Sequence, residues 1–362
     1  LTSTKESIRN MNDEQKVDAS LSTEPGWKNK ISNPAQLGGI ETAILDNGLG
    51  RGNRIAWINT GTGLRYKVVF DRGMDIADAF YNQYSLAWLS HGGFTAPQPQ
   101  SDKGIDWLRT FGGGLLTTCG LSHVGGPEKD EFGERGVHGQ ISNTPAEIVS
   151  IIQPDPVAGK MDISITGIIK ETKVFGPSLE LRRTISGRLG EPTIRIHDEV
   201  INRGNTPTPL MLLYHFNFGY PLVDEGTEIL WKGQWQPRFG SKNARIFREG
   251  NDFKKCPAPI DDHLGTGEEV VFIDPTANDS GECTCGLSNT KIGLKVEINF
   301  NKSELPHLIN WQHWGKGEYV TGIEPATNPP IGQAQARANK ELIFLYPYET
   351  RTFDLAINAL EI

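Results

Sequence analysis

From Met161 onward apolar residues recur at every second position, and no other feature of the sequence restricts the possible folds as much. Ile292, Leu294, Val296, Ile298 and Phe300 form the cleanest series. Met161-Ile163-Ile165, Leu179-Leu181-Arg183-Ile185 and Ile194-Ile196-Asp198-Val200 repeat it. A strand sends successive side chains to opposite faces, so a period of two predicts strands with one packed and one wetter face, the arrangement of antiparallel sheets. Residues 54–58 and 64–70 read the same way, and residues 342–347 and 352–357 read as two closing strands around a Glu349-Thr350 turn. No stretch after Met161 holds a helical period for more than a couple of turns. The 41 glycines and 22 prolines provide the turns that many short strands require. The expectation is an all-β chain, and the lack of a fixed internal period disfavours a propeller or solenoid.

Residues 1–30 are polar, mixed in charge and without either period, and read as an arm or short helix with a linker. Structure-forming sequence begins at residue 31. Length alone leaves 362 residues open to one domain or two. No apolar run approaches the roughly 18 residues of a membrane-spanning helix. A net charge of −8, with no Lys/Arg cluster, argues against a nucleic-acid partner and for a neutral or polar small molecule. Cys119, Cys256, Cys283 and Cys285 include a Cys-x-Cys pair but no further ligands at zinc spacing, so they read as reduced thiols. The glycine-rich pieces at residues 90–94 and 111–116 lack the Lys-Ser/Thr of a phosphate loop, and nucleotide binding is not expected. A cytoplasmic location is the expectation, with a removed export signal left open because the chain starts at Leu1.

Candidate functional residues stand out by being polar in apolar or turn-rich surroundings. His215 interrupts the apolar and aromatic run from Leu210 to Leu222, which Pro207, Pro209 and Pro221 bound as a buried strand. It reads either as a core histidine held by a carbonyl or as a general acid or base. Glu324, between Ile323 and Pro325, sits where desolvation raises a carboxylate's pKa; backbone amides in the Pro-rich turn are the alternative partner. Arg72 ends a strand and precedes Gly73, where it aims into a pocket or pairs with Asp71 or Asp75. His91 lies in a glycine-rich bend suited to close approach of a ligand. The loop from His123 to Gly139 offers His138 at a strand edge, and its scattered carboxylates make a metal conceivable but not expected. Trp311 and Trp314 read as a wall for a ligand or as core packing.

Four pieces together resemble the aldose 1-epimerase, or galactose mutarotase-like, superfamily and its aldose-1-epimerase-like branch. They are Asp71-Arg72-Gly73-Met74-Asp75, His138-Gly139, residues 215–221 and Gly322-Ile323-Glu324-Pro325. The resemblance spans about residues 31 to 362 and implies a single large antiparallel β-sandwich. It also implies an isomerase that needs no cofactor or metal, with His215 as general acid and Glu324 as general base on opposite sides of a sugar, each tuned toward neutral pKa. Arg72 and His138 would hold sugar hydroxyls, Asp224 would stand for the family's mid-chain aspartate, and His91 and Trp311 would complete the binding set. Gln140 replaces a second glycine of the family pattern. The implied ligand is a small sugar, of unspecified identity and phosphorylation; oligomeric state stays open. Two rival readings use the same residues: a non-catalytic sugar-binding protein, or a sugar lyase or isomerase with a metal near His123 and His138.

Overall fold

The computed structural model describes residues 26–240 and 244–362, so most of the arm expected over residues 1–30 lies outside the described residues. Two large antiparallel sheets face one another. The first has eleven strands and begins at one edge with Gly39–Ile44, Arg54–Asn59, Leu64–Val69 and Asp75–Tyr81, the last flanked by Tyr84–Ser85. Its centre is Leu116–Cys119, Leu213–Phe218, Glu318–Ala326 and His307–Gly315, and it ends with Glu269–Pro275 and Gly233–Pro237. The second sheet has eight strands, in the order Glu228–Leu230, Glu282–Asn289, Leu294–Asn301, Thr350–Glu361, Thr193–Asn202, Ser178–Arg188, Asp162–Thr172 and Glu147–Ile152.

The period-two segments after Met161 became strands of the second sheet, and residues 54–58 and 64–70 strands of the first. Ser178–Arg188 and Leu294–Asn301 alternate strictly between buried and half-exposed positions, with Leu179, Leu181, Ile185, Val296 and Ile298 turned inward. They meet Tyr66, Val68, Ile76, Leu116, Tyr214, Phe216 and Ile323 of the first sheet in one continuous core. The first sheet is covered on its other face as well, where Trp107, Val124, Met211, Leu213, Ile309 and Ala336 form a smaller apolar cluster. That second cover explains why every residue of Leu213–Phe218 is buried, as a continuous apolar run requires.

Two expectations change in detail. The run from Leu210 is not one strand: Thr208–Leu210 pairs with Ile343–Leu345 in a small separate sheet, and the Met211 and Leu212 amides donate instead to Leu121 O (2.8 Å) and Thr327 Oγ1 (2.9 Å). The two closing strands do not pair with each other, since Ile343–Leu345 belongs to that small sheet and Thr350–Glu361 to the middle of the eight-stranded one. The sandwich is also joined through its core by charge. Arg183, at an inward position of the second sheet, pairs with Asp198 (Nη2–Oδ2 2.7 Å) and donates to Thr118 Oγ1 (2.8 Å) and Gly73 O (3.1 Å) across the interface. Tyr214 donates its hydroxyl back to Asp198 (2.8 Å), and Asp75 accepts from the Thr118 amide and hydroxyl (3.0 and 2.6 Å). Such a buried cluster holds together because each charge has both an opposite charge and hydrogen bonds.

Candidate active site

Strand register creates the centre of the site. Leu213–Phe218 pairs with Glu318–Ala326 so that Leu213 faces Ala326 and Phe216 faces Ile323. Counting inward puts His215 opposite Glu324 on the face away from the core. Directly opposed residues have Cβ atoms only about 4.5–5.5 Å apart, which brings the two side chains into contact. Nε2 of His215 lies 3.3 Å from Oε1 of Glu324, and both residues are buried, 7% and 3% exposed. The sequence expectation of two groups flanking a sugar from opposite sides is therefore corrected: they stand side by side. Oε1 of Glu324 and Nδ1 of His215 have no hydrogen-bond partner among the described residues, so two buried polar atoms await a ligand or water.

The pair forms part of the lining of a cavity of about 530 Å³, beside which stand the rings of Trp88, Trp107, Phe111 and Trp311. Trp107 stacks on Phe111 (centroids 4.5 Å), Phe111 lies 5.3 Å from the His215 ring, and Trp311 meets the same ring edge-on at 5.5 Å. Trp311 reaches this position because it lies two residues beyond Ile309 on His307–Gly315, where Ile309 faces Glu324 and Trp311 faces Gly322. Gly322 leaves room for this arrangement: a Cβ would come within 2.4 Å of Glu324 Oε1, 3.2 Å of Trp311 and 3.3 Å of His215, so the carboxyl would have to shift. His138 enters from its loop with a left-handed backbone (φ 57°), which aims its ring between Trp107 (5.0 Å) and His215 (6.3 Å).

Electrostatics favour uncharged forms here. Burial pushes His215 down to about 3, and burial followed by the neighbouring His215 pushes His138 down to about 3. Burial, reinforced by the Glu268 carboxylate, raises Glu324 well above the usual carboxylate range, with Arg238 opposing. Desolvation raises Glu324 as its setting beside Pro325 led one to expect, whereas it carries His215 downward, away from neutrality and not toward it. Both shifts favour the uncharged forms, a carboxylic acid and a neutral imidazole, over an ion pair.

Of the seven residues predicted from sequence, His215, Glu324, His138 and Trp311 line this cavity. Arg72 does not. Its guanidinium is buried and donates to the carbonyls of Ser142, Thr95 (3.0 Å) and Thr110 (2.9 Å), tying three loops together. Asp224 lies elsewhere on the surface, paired with Lys291 (2.9 Å). His91 is an exposed outer neighbour, 3.5 Å from Glu318, which does line the cavity. His123 is buried beneath the loop with Nε2 2.9 Å from Gly126 O and Nδ1 3.4 Å from Glu128. Sequence reasoning missed Arg238, Glu268, His313 and Glu318. Glu268 accepts from Trp311 Nε1 (2.8 Å) and Arg238 (2.5 Å), fixing the indole and the guanidinium to one wall. The signal for His313 was present: it follows Trp311 by two residues, and the same strand face carries both.

The family model described as "Domain of unknown function (DUF4432)" matches residues 50–359. No match to a curated protein was found. Among solved structures, a candidate aldose 1-epimerase from Klebsiella pneumoniae is 25% identical with a TM-score of 0.78, over 89% of this chain and 83% of that one. A galactose mutarotase-like protein from Clostridium acetobutylicum is 12% identical with a TM-score of 0.62, over 89% and 98%. Galactose 1-epimerase from Lactobacillus acidophilus is 13% identical with a TM-score of 0.56, over 89% and 98%. The two sheets and their connections are thus those of the galactose mutarotase-like β-sandwich.

Proposed function

We propose that this chain, which belongs to the DUF4432 family and has the galactose mutarotase-like fold, is a carbohydrate epimerase that interconverts the anomers of an aldose through His215 and Glu324. The observation that carries the reading is the direct 3.3 Å His–Glu contact between two buried residues that line one cavity, with unpartnered polar atoms on both members among the described residues. The structural relatives named as aldose or galactose 1-epimerases support the same class.

Side-by-side placement suits the chemistry. Anomer exchange moves a proton off the anomeric hydroxyl while another reaches the ring oxygen, and these two oxygens are bonded to one carbon. A donor and an acceptor in contact serve them together. In the resting state Glu324 holds the proton and His215 offers a lone pair. On opening, Glu324 protonates the ring oxygen and the hydroxyl proton passes to His215; the C1–O5 bond breaks and a carbonyl forms. After rotation about the C1–C2 bond, O5 attacks the other face and both protons return. These resting roles, the reverse of those implied by the sequence resemblance, are assigned from the preference of both buried groups for their uncharged forms. Each group supplies roughly 10²- to 10⁴-fold, and fixed orientation adds to this. Trp311 and Phe111 offer apolar faces to the sugar's C–H surface, and His138 a hydrogen bond to a hydroxyl.

The test is exchange NMR or polarimetry across a panel of free aldoses. Acceleration of one or more sugars, lost in His215→Ala and Glu324→Gln, is the expected result. Absence of acceleration on every aldose, or its survival in both variants, rejects the reading.

A further inference from the structure

Among the described residues, Asn33, Asn59, Asn202, Asn278, Asn289 and Asn301 use their side chains alike. Each accepts, through Oδ1, from the amide two residues ahead, the ordinary asparagine turn. Asn47 differs. Its Oδ1 accepts from the amide of the very next residue, Gly48, at 2.8 Å, so the carboxamide is folded back over its own peptide link. With a C=O bond of about 1.2 Å, Cγ then lies no more than about 4 Å from the Gly48 nitrogen. Asn47-Gly48 is also the only Asn-Gly step in the sequence. Both residues are exposed, in the loop that joins strands Gly39–Ile44 and Arg54–Asn59. Gly48 has a left-handed φ of 67° and nothing within 4 Å of where a Cβ would stand, so this flank of the peptide is open.

We propose that Asn47 is a modification site, at which the chain deamidates without an enzyme to a mixture of aspartate and isoaspartate. Hydroxide takes the Gly48 N–H proton and the nitrogen attacks Asn47 Cγ. The N–Cγ bond forms, the Cγ–Nδ2 bond breaks, and Nδ2 leaves as ammonia after taking a proton from water, which restores the hydroxide. The five-membered imide then adds one water. Addition at Cγ breaks the new Cγ–N bond and leaves aspartate. Addition at the Asn47 main-chain carbonyl carbon breaks that carbon's bond to nitrogen and leaves isoaspartate, with the backbone routed through Cβ and Cγ. One water enters, one ammonia leaves, and nothing is oxidised or reduced.

Both products add a negative charge beside Asp46, and isoaspartate also adds one methylene to the loop. The loop is tied at several points. Leu45 N donates to Asn53 O (3.0 Å), Leu49 O accepts from the Ala96 amide (2.7 Å), and Asn53 Nδ2 donates to Thr95 O (3.0 Å). Thr95 O also accepts from Arg72, which holds Thr110 O as well, one residue before the cavity-lining Phe111. The isoaspartyl form thus loosens a loop that Arg72 connects to the cavity wall.

The experiment stores the purified protein in mildly alkaline buffer, native and in denaturant, and follows every asparagine by peptide mapping with mass spectrometry. An isoaspartyl methyltransferase with a labelled methyl donor reports isoaspartate. Asn47→Ser removes the reacting amide and Asn47→Asp adds the charge without the methylene; the position is exposed, so both variants fold. Expected in the native protein is a gain of about 1 Da at Asn47, resolved into two chromatographic products. Held geometry should make it at least about tenfold faster than at any other asparagine and no slower than in denaturant. Methyl labelling should be lost in Asn47→Ser. No gain at Asn47, equal rates at other asparagines, or a rate that rises about tenfold in denaturant overturns the site. The purified isoaspartyl form should unfold at lower denaturant than Asn47→Asp; equal midpoints overturn the loosening and leave the site standing.

Discussion

Substituting Gly322 by alanine isolates the contact between His215 and Glu324, because it removes no ionisable group. The added Cβ would sit 2.4 Å from Glu324 Oε1, where ordinary contact begins at 3.4 Å, so the carboxyl must move by about 1 Å. The same Cβ lies 3.2 Å from Trp311 and 3.3 Å from His215, so neither neighbour offers room. A displacement of that size, applied to a donor and acceptor that must meet one hemiacetal, costs about 10²-fold or more in rate. Stability changes less. Overpacking costs about 1–3 kcal/mol and the Gly→Ala gain in strand conformation offsets roughly 0.4–1. The assay is exchange NMR on the best aldose beside a denaturant melt, with Glu324→Gln as the reference for a pair that keeps its shape and loses its acid. Both variants are expected to fold, with Gly322→Ala as slow as Glu324→Gln to within about tenfold. A folded Gly322→Ala protein with wild-type turnover would show that the contact plays no part in catalysis.

Three further outcomes follow from other parts of the molecule. Replacing Arg72 by leucine leaves the Thr95, Thr110 and Ser142 carbonyls unpaired, so denaturant midpoints should drop by the equivalent of about 2–5 kcal/mol with an unchanged m-value; a change in KM at normal stability would return Arg72 to the ligand site. Asp224→Ala removes an exposed ion pair and should shift stability by no more than about 1 kcal/mol and sugar turnover not at all; a large rise in KM would contradict its surface placement. Titration has a defined sign. His215, lowered to about 3 in the folded state, contributes stability that is full above its unfolded value near 6.5 and is lost as pH falls toward 3. Glu324, raised by burial, contributes stability present below about 4.5 and lost as pH rises through its folded value, and its donor role fades as the carboxyl loses its proton. Chemical-denaturation midpoints against pH should therefore show a decline above about pH 4.5 in wild type that Glu324→Gln lacks; identical profiles would remove the protonated-carboxyl assignment.

The sandwich was legible because alternation is a local property: each of the segments around Ile163, Leu181, Ile196 and Val296 announced its inward face within a few residues. The centre of the site was legible because a histidine in an apolar run and a proline-flanked glutamate are both conspicuous. Their mutual distance was not, since it depends on how two strands more than a hundred residues apart align. Arg72 misled for the converse reason. Its position after a strand and before Gly73 looked like a pocket edge, while the carbonyls that hold it come from three distant loops. Arg238 and Glu268 flank strands without any distinctive neighbours, and only sheet pairing brings them to Trp311. Two stretches expected to be continuous or paired, residues 210–222 and 342–357, divided between sheets because their amides found partners in remote segments.

The charged cluster between the sheets bears on folding fidelity. A strand that is apolar on one face and wet on the other resists a slip by one residue, since the slip would expose its oily side. Leu213–Phe218 has no such protection, being buried on both sides. Tyr214 and His215 supply the missing asymmetry. Advance the strand by one position and an imidazole would be thrust toward Arg183 while the tyrosine hydroxyl lost Asp198. The ionic knot behind the site thus acts as a proofreading device for alignment, rejecting the misthreaded isomer in which His215 and Glu324 would never meet.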